Sequence, residues 1–156
     1  MKRLSLFLIA LVAAACNSGP QNSVTGAPGH GAISIQVVPN PIVAMRVSGN
    51  TYDFAFDVVV RETGGRPVNV TRVTATVFAP GGFSVGEESW DVEKIRALGY
   101  STTINAHGEL RYRFTPRKEV PDERLFGGTS AELKVDAVDD TGSATSATTT
   151  VTVRKG

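Results

Sequence analysis

The chain has 156 residues, 41% of them hydrophobic and 20% charged, with a formal net charge of +1. Those values suit one globular domain with short extra segments. They leave no basic excess for recognising nucleic acid, and a single cysteine excludes an intramolecular disulfide.

At the front, Lys2 and Arg3 precede an apolar stretch, residues 4–12, interrupted only by Ser5, and then Ala13, Ala14 and Ala15. That order is a secretory signal, too short to span a membrane as a helix. Cys16 follows directly. Small residues running into a cysteine at the end of an apolar stretch resemble the lipobox of bacterial lipoproteins, although that family usually carries Leu where Ala13 stands. The resemblance implies that residues 1–15 are removed and that Cys16 is the lipid attachment site, its sulfur carrying diacylglycerol and its new amino terminus often acylated. The other reading is an ordinary signal peptidase site, since Ala13-Ala14-Ala15 also satisfies the small-x-small rule.

Two or three acyl chains anchor a protein stably, where a single chain holds only marginally. Asn17 occupies the place where some Gram-negative lipoproteins carry an inner-membrane retention Asp. By the same resemblance this chain goes to the outer membrane of the cell envelope. Losing Lys2 and Arg3 leaves the mature chain slightly acidic and without a polybasic patch.

Residues 17–31 are rich in Gly, Ser, Asn and Pro and bury nothing, so residues 16–32 read as the lipidated cysteine plus a flexible linker. A tether of that length has a root-mean-square reach of roughly 20 Å. His30 reads as a linker residue.

The domain spans residues 33–156. Ile33, Ile35 and Val37 alternate with polar residues in an edge strand that Pro39-Asn40-Pro41 interrupts and residues 42–47 resume. Residues 51–62 form the strongest strand, with Tyr52, Phe54, Phe56, Val58 and Val60 on one face and Asp53, Asp57 and Arg61 on the other. Residues 68–79 form the next, with an irregularity where the alternation slips near 70–72. Residues 91–98 read as a short helix closed by Gly99, in preference to a strand over 90–95. Residues 100–104 and 109–115 are expected to pair as a hairpin. Leu125 and Phe126, in a charged connection, are expected to plug the end of the core.

The chain closes on a second hairpin. Ala131, Leu133, Val135 and Ala137 alternate with charged residues, Asp139-Asp140-Thr141-Gly142 makes the turn, and Ala147, Thr149, Val151 and Val153 face in. About seven short strands at this spacing fit an all-β, immunoglobulin-like antiparallel β-sandwich. The acidic turn and Thr/Val-rich last strand resemble the end of bacterial immunoglobulin-like domains. That family's cysteine pair is absent, and Trp90 is not on the third strand.

Catalytic signals are poor. His107 is the imidazole inside the domain, and no nucleophile elbow, zinc-protease motif or phosphate loop is present. The immunoglobulin-like topology would gather Glu62, His107, Asp139 and Asp140 at one end, with too few carboxylates for calcium. No metal and no cofactor are expected. Asp53 and Asp57 are expected to pair with Arg111 and Arg113 on a solvated face. The opposite end holds Phe83, Trp90, Arg124 and Phe126, residue types favoured at binding hot spots, and is expected to point away from the membrane; the other reading, which the rings favour, is that Phe83, Trp90 and Phe126 close the sandwich core.

The function expected is a lipid-anchored, non-catalytic binding or structural module that meets an envelope protein or a polysaccharide. Two alternatives are a secreted hydrolase or enzyme accessory domain, and a structural subunit of a surface complex.

Overall fold

The computed structural model describes residues 23–25 and 29–156. The signal peptide, Cys16 and most of the expected linker lie outside the described residues. In chain order the strands are β1 (Ser23–Thr25), β2 (Ile33–Val38), β3 (Ile42–Ser48), β4 (Thr51–Phe54), β5 (Phe56–Glu62), β6 (Val68–Phe78) and β7 (Ser84–Asp91). The helix α1 (Val92–Ala97) comes next, then β8 (Thr103–Ile104), β9 (Glu109–Phe114) and β10 (Arg117–Glu119). A 3-10 turn (Glu123–Phe126), β11 (Ser130–Asp139) and β12 (Ala144–Lys155) complete the chain. One large sheet runs β10-β4-β3-β12-β11-β6-β7, with β1 added on β12 and β8 on β6; a small sheet runs β2-β5-β9. The two form a sandwich-like, mostly β arrangement.

The terminal hairpin sits at the centre of the large sheet. Leu133 faces Thr149 and Val135 faces Ala147 across the hairpin, while Leu133 faces Ala75 and Val135 faces Val73 on the other side. The alternating inward set of both arms is buried as the period-two pattern requires. Where the alternation slips in β6, the register shifts opposite Asp136 and Ala137, and the Thr71 hydroxyl donates to the Asp136 carbonyl at 3.1 Å. Phe56, Leu133 and Val151 share one core cluster, with Phe54 packed against it.

Two strands change sheets. At Pro39 and Pro41 the backbone has no N–H to offer a neighbour, so β2 leaves the small sheet and continues as β3, parallel to the end of β12. At Ala55 the expected long strand breaks: β4 pairs with β3 and β10 in the large sheet, and β5 pairs with β2 and β9 in the small one. Tyr52 is therefore buried under Phe126, ring centroids 5.2 Å apart and edge-on.

Three expectations need correction, and one stretch without an expectation forms a strand. Residues 100–115 do not form a hairpin: β8 pairs with β6 and β9 with β5, so the turn at residues 105–108 bridges the two sheets. Residues 84–91 form an edge strand with little alternation, and Trp90 lies on it. Within the expected linker, β1 pairs antiparallel with β12, Ser23 opposite Thr148 and Thr25 opposite Ser146. Asp57 takes both Arg111 and Arg113, at 3.1 and 3.9 Å, while Asp53 holds Arg117 instead in a two-pronged pair at 2.7 and 2.8 Å.

The helix α1 stands where expected, started by the Asp91 carboxylate accepting from the Lys94 amide at 2.9 Å and closed at Gly99, φ 86°. Of its apolar residues only Ile95 is buried, and Leu98 is exposed.

Leu133→Ala should lower stability by about 2–5 kcal/mol, read by urea denaturation followed on Trp90 fluorescence, while exposed Thr150→Ala changes it by less than about 0.5 kcal/mol. The buried Tyr112 hydroxyl has no hydrogen-bond partner among the described residues, and burial raises its pKa. Tyr112→Phe should leave stability unchanged or raise it, because it removes an unsatisfied group; a clear loss in the same titration would reveal a partner.

Candidate functional site

The ends of the sandwich differ in chemistry. At the turn end two buried carboxylates tie loops together. The Glu62 side chain is fully enclosed and accepts from the amides of Ala32 (3.2 Å), Gly64 (2.6 Å), Gly65 (2.9 Å) and His107 (2.9 Å). The Asp139 side chain, also enclosed, accepts from Gly31, Thr141 and Ser143 amides at 2.9–3.0 Å and from the Thr141 hydroxyl at 2.6 Å. His30 Nδ1 lies 3.3 Å from Asp139 Oδ2, so His30 packs on the domain and does not stay in a linker.

Space there is tight. A side chain on Gly31 would meet Val68 at 2.5 Å and Asp139 at 2.9 Å, and one on Gly64 would meet the His30 carbonyl at 2.3 Å. The topology thus gathers Glu62, His107, Asp139 and Asp140 as the sequence implies. The oxygens of Glu62 and Asp139 face backbone donors, and Asp140 pairs with Arg66 at 2.8 Å. Among the described residues, no group of three or more His, Cys, Asp or Glu side chains could hold a metal.

The Thr141 hydroxyl, followed by the Gly31 amide, outweighs burial and holds the Asp139 carboxyl well below the usual carboxylate range. For Glu62 burial pushes upward, but the four amides together exceed it and the net shift is downward.

At the other end the large sheet curls until its outer strands, β7 and β10, face each other across a gap. Behind the gap lies a cavity of about 500 Å³, within the roughly 300–1,000 Å³ usual for ligand sites. Its floor is the unfilled part of the core: Ile42, Phe54, Phe56, Ala75, Leu133 and Val153. One wall is Val77 with Val85, Gly86, Glu87 and Glu88 of β7. The other is Pro116, Lys118, Glu119, Val120 and Pro121. Leu125, Phe126 and Thr129 close the top, and the Thr129 hydroxyl is bonded to the Leu125 carbonyl.

Side-chain networks hold this shape. The Tyr52 hydroxyl donates to Glu123 at 2.6 Å, Lys155 reaches the other Glu123 oxygen at 2.5 Å, and Arg46 bonds both Tyr52 and Glu123. They seat the 3-10 turn, and with it Phe126, over Tyr52 and Phe54. The Asp53–Arg117 pair fixes β10 on β4. Among the described residues a single ion pair, Lys118 Nζ to Glu88 Oε2 at 2.5 Å, crosses the gap.

The four expected surface residues separate. Phe83 is 74% exposed in the turn before β7. Phe126 is half-buried and lines the cavity. Arg124 is exposed and pairs with Asp122 at 2.5 Å. Trp90 is a core residue, stacked on Phe114 with centroids 4.1 Å apart, so it offers no binding surface. Leu125 and Phe126 plug the core end only in part. The mouth residues Val85, Gly86 and Glu88 escaped sequence reasoning; an edge strand that hardly alternates was the only available signal.

No family model matches the chain, and no curated protein sequence does. Solved structures similar to it include the Northeast Structural Genomics Consortium target SoR45, with a TM-score of 0.55, 10% identity, and coverage of 82% of this chain and 90% of that one. The C-terminal domain of Wzt matches with a TM-score of 0.48, 12% identity, and coverage of 88% and 81%. At such identity the likeness to SoR45 is one of fold alone.

Both carboxylates have folded-state pKa values below their ordinary ones. Their contribution to stability is therefore present above the ordinary carboxylate range and is lost as pH falls through the depressed values. Unfolding titrations between neutral pH and strong acid should show stability declining on the acid side. Asp139→Asn should be less stable at neutral pH and show a shallower acid decline. Glu62→Gln should cost about 1–3 kcal/mol at neutral pH, since the amide cannot satisfy four donors.

Proposed function

We propose that this protein is a lipid-anchored component of a bacterial envelope whose single domain is a non-catalytic binding module. The apolar cavity between β7 and β10 is its binding feature. That cavity carries the reading: an opening of about 500 Å³ reaches core side chains, and its one enclosed hydroxyl is already bonded within the protein. An apolar group entering it removes hydrocarbon surface from water on both sides, which is the dominant favourable term in association.

An immunoglobulin-like identity for the sandwich is supported by its neighbours. The order β2-β5-β9 follows strands A, B and E of that fold, and β12-β11-β6-β7 follows G, F, C and C′. The anchor is supported by Cys16, the sole cysteine, at the end of the signal. The outer membrane is favoured by Asn17. Among the described residues no helix is long and apolar enough to cross a membrane. An envelope protein fits the cavity better than a polysaccharide does, because the lining offers few polar groups to hydroxyls.

β1 runs alongside β12 toward the Asp139 end and does not project from it.

The neutral fluorescent probe phenylnaphthylamine should bind the mature chain saturably. Ala131→Leu, which adds carbons from the cavity floor, should weaken that binding by at least about tenfold without lowering the thermal midpoint. Undiminished binding to the variant would place the probe elsewhere and remove the cavity from the reading. Metabolic palmitate labelling should mark the wild-type chain and be absent from Cys16→Ala; equal labelling would dismiss the anchor at that residue.

A further inference from the structure

We propose that the cavity mouth is a strand-insertion site for a partner protein. An extended, basic segment pairs its backbone with the free edge of β7 and sends alternate apolar side chains into the cavity. This rests on the cavity being the binding feature and adds the class of partner.

The edge itself is the first observation. β7 pairs only with β6 among the described residues, and its Ser84–Glu87 portion is exposed. Natural edges are commonly guarded by proline, lysine or shortness. β10 has these guards: three residues long, it contains Arg117 and Lys118 and lies between Pro116 and Pro121. β7 is eight residues long, and Ser84 to Glu88 contain neither proline nor lysine; its guards are the register shift at Val85 and the carboxylates of Glu87 and Glu88, which a basic strand neutralises.

Gly86 is the second. It is absent from the positive-φ glycines, and a Cβ built on it meets nothing within 4 Å. It lies beside the register shift between β6 and β7 and lines the cavity, where a glycine at a bulge also leaves room for a second backbone to approach closely.

The width and charge of the gap complete the case. Lys118 and Glu88 meet across it through their side chains, and no backbone pairing joins β7 to β10 among the described residues. An added strand would lie about 4.8 Å from the free edge of β7. An exposed ion pair of this kind contributes little and yields readily to an incoming chain. Around the mouth Glu87, Glu88 and Glu119 outnumber Lys118, which favours basic residues between the apolar ones. The same carboxylates oppose the head group of a free fatty acid.

The test uses the mature chain from residue 16 with Cys16→Ser, so that no detergent competes for the cavity. Fluorescein-labelled octapeptides alternate Val or Leu with Lys, alternate them with Glu, or carry a central proline in the Lys series. By anisotropy the Lys peptide should bind at least about tenfold more tightly than the Glu peptide, and the proline version should fail because it cannot donate to the edge. Amide exchange at residues 85–88 should slow in the complex. Gly86→Val should retain the wild-type melting curve, yet lose the peptide by at least about tenfold. Equal affinity for Lys and Glu peptides, or an indifferent Gly86→Val, overturns strand insertion. Binding of palmitate or phenylnaphthylamine with no peptide binding overturns insertion but leaves the cavity as a lipid-type site. Failure of peptide, palmitate and probe alike overturns both readings.

Discussion

Everything in this domain hangs from the two-sided pairing of β11. Its whole length is bonded to β12 on one side and, through one irregularity, to β6 on the other. Because side chains alternate strictly, a slip of one residue would turn Ala131, Leu133, Val135 and Ala137 to solvent and Glu132, Lys134 and Asp136 into the core. Burying even one of those charges unpaired would cost more than the domain can lose. The register is fixed by that penalty. It places β6 and β7 on one flank, β12 and β3 on the other, and so sets how far apart the outer strands come to rest.

The cavity follows from the same geometry combined with sheet switching. β2 and β5 supply the small sheet over only one half of the molecule, because each is continuous with a strand, β3 or β4, that belongs to the large sheet over the other half. The half that the small sheet leaves uncovered has no complete second layer. Only the 3-10 turn and the segment after β10 stand over it, and their apolar side chains, Leu125, Phe126 and Val120, do not fill the space above Ala75, Ala131 and Leu133. The floor is therefore core surface without a full cover, and its smallest members, the two alanines, lie where added volume would be most needed.

What was legible in the letters was local. Alternation marked both arms of the closing hairpin, the aromatic face of residues 52–60 and the bulge in β6. Asp91 and Gly99 bracketed the helix. The acidic turn end was also legible, since the strand order that gathers Glu62, His107 and Asp139 follows from the fold class. What was not legible depended on which strand meets which. Ala55 looks like any outward residue in an alternating strand, and nothing in residues 100–115 says that its two arms belong to different sheets. β7 was hidden for a different reason: an exposed edge strand with Gly86, Glu87 and Glu88 has no buried face to impose a period. Trp90, whose type suits a hot spot or the end of the core, is buried because β7 and Phe114 bring it between the sheets. The cavity is a property of curvature, which has no one-dimensional signature.

The two ends then differ in how they can respond to a partner. At the Glu62–Asp139 end each enclosed carboxylate is held by several backbone donors from separate loops, and substituted Gly31 or Gly64 would collide with its neighbours. Moving any one loop there would strand charged oxygens without their donors, so that end resists rearrangement. At the other end, among the described residues, the gap is crossed by one exposed ion pair between flexible side chains, and the strand beside it has an open backbone edge. Breaking Lys118–Glu88 re-exposes two groups that water solvates well, and separating β7 from β10 disturbs no ladder. A molecule entering the cavity therefore meets a rigid floor, set by β11, behind a mouth whose opening costs little. Rigidity where shape must be recognised and weakness where entry must occur both arise from the register of one central strand.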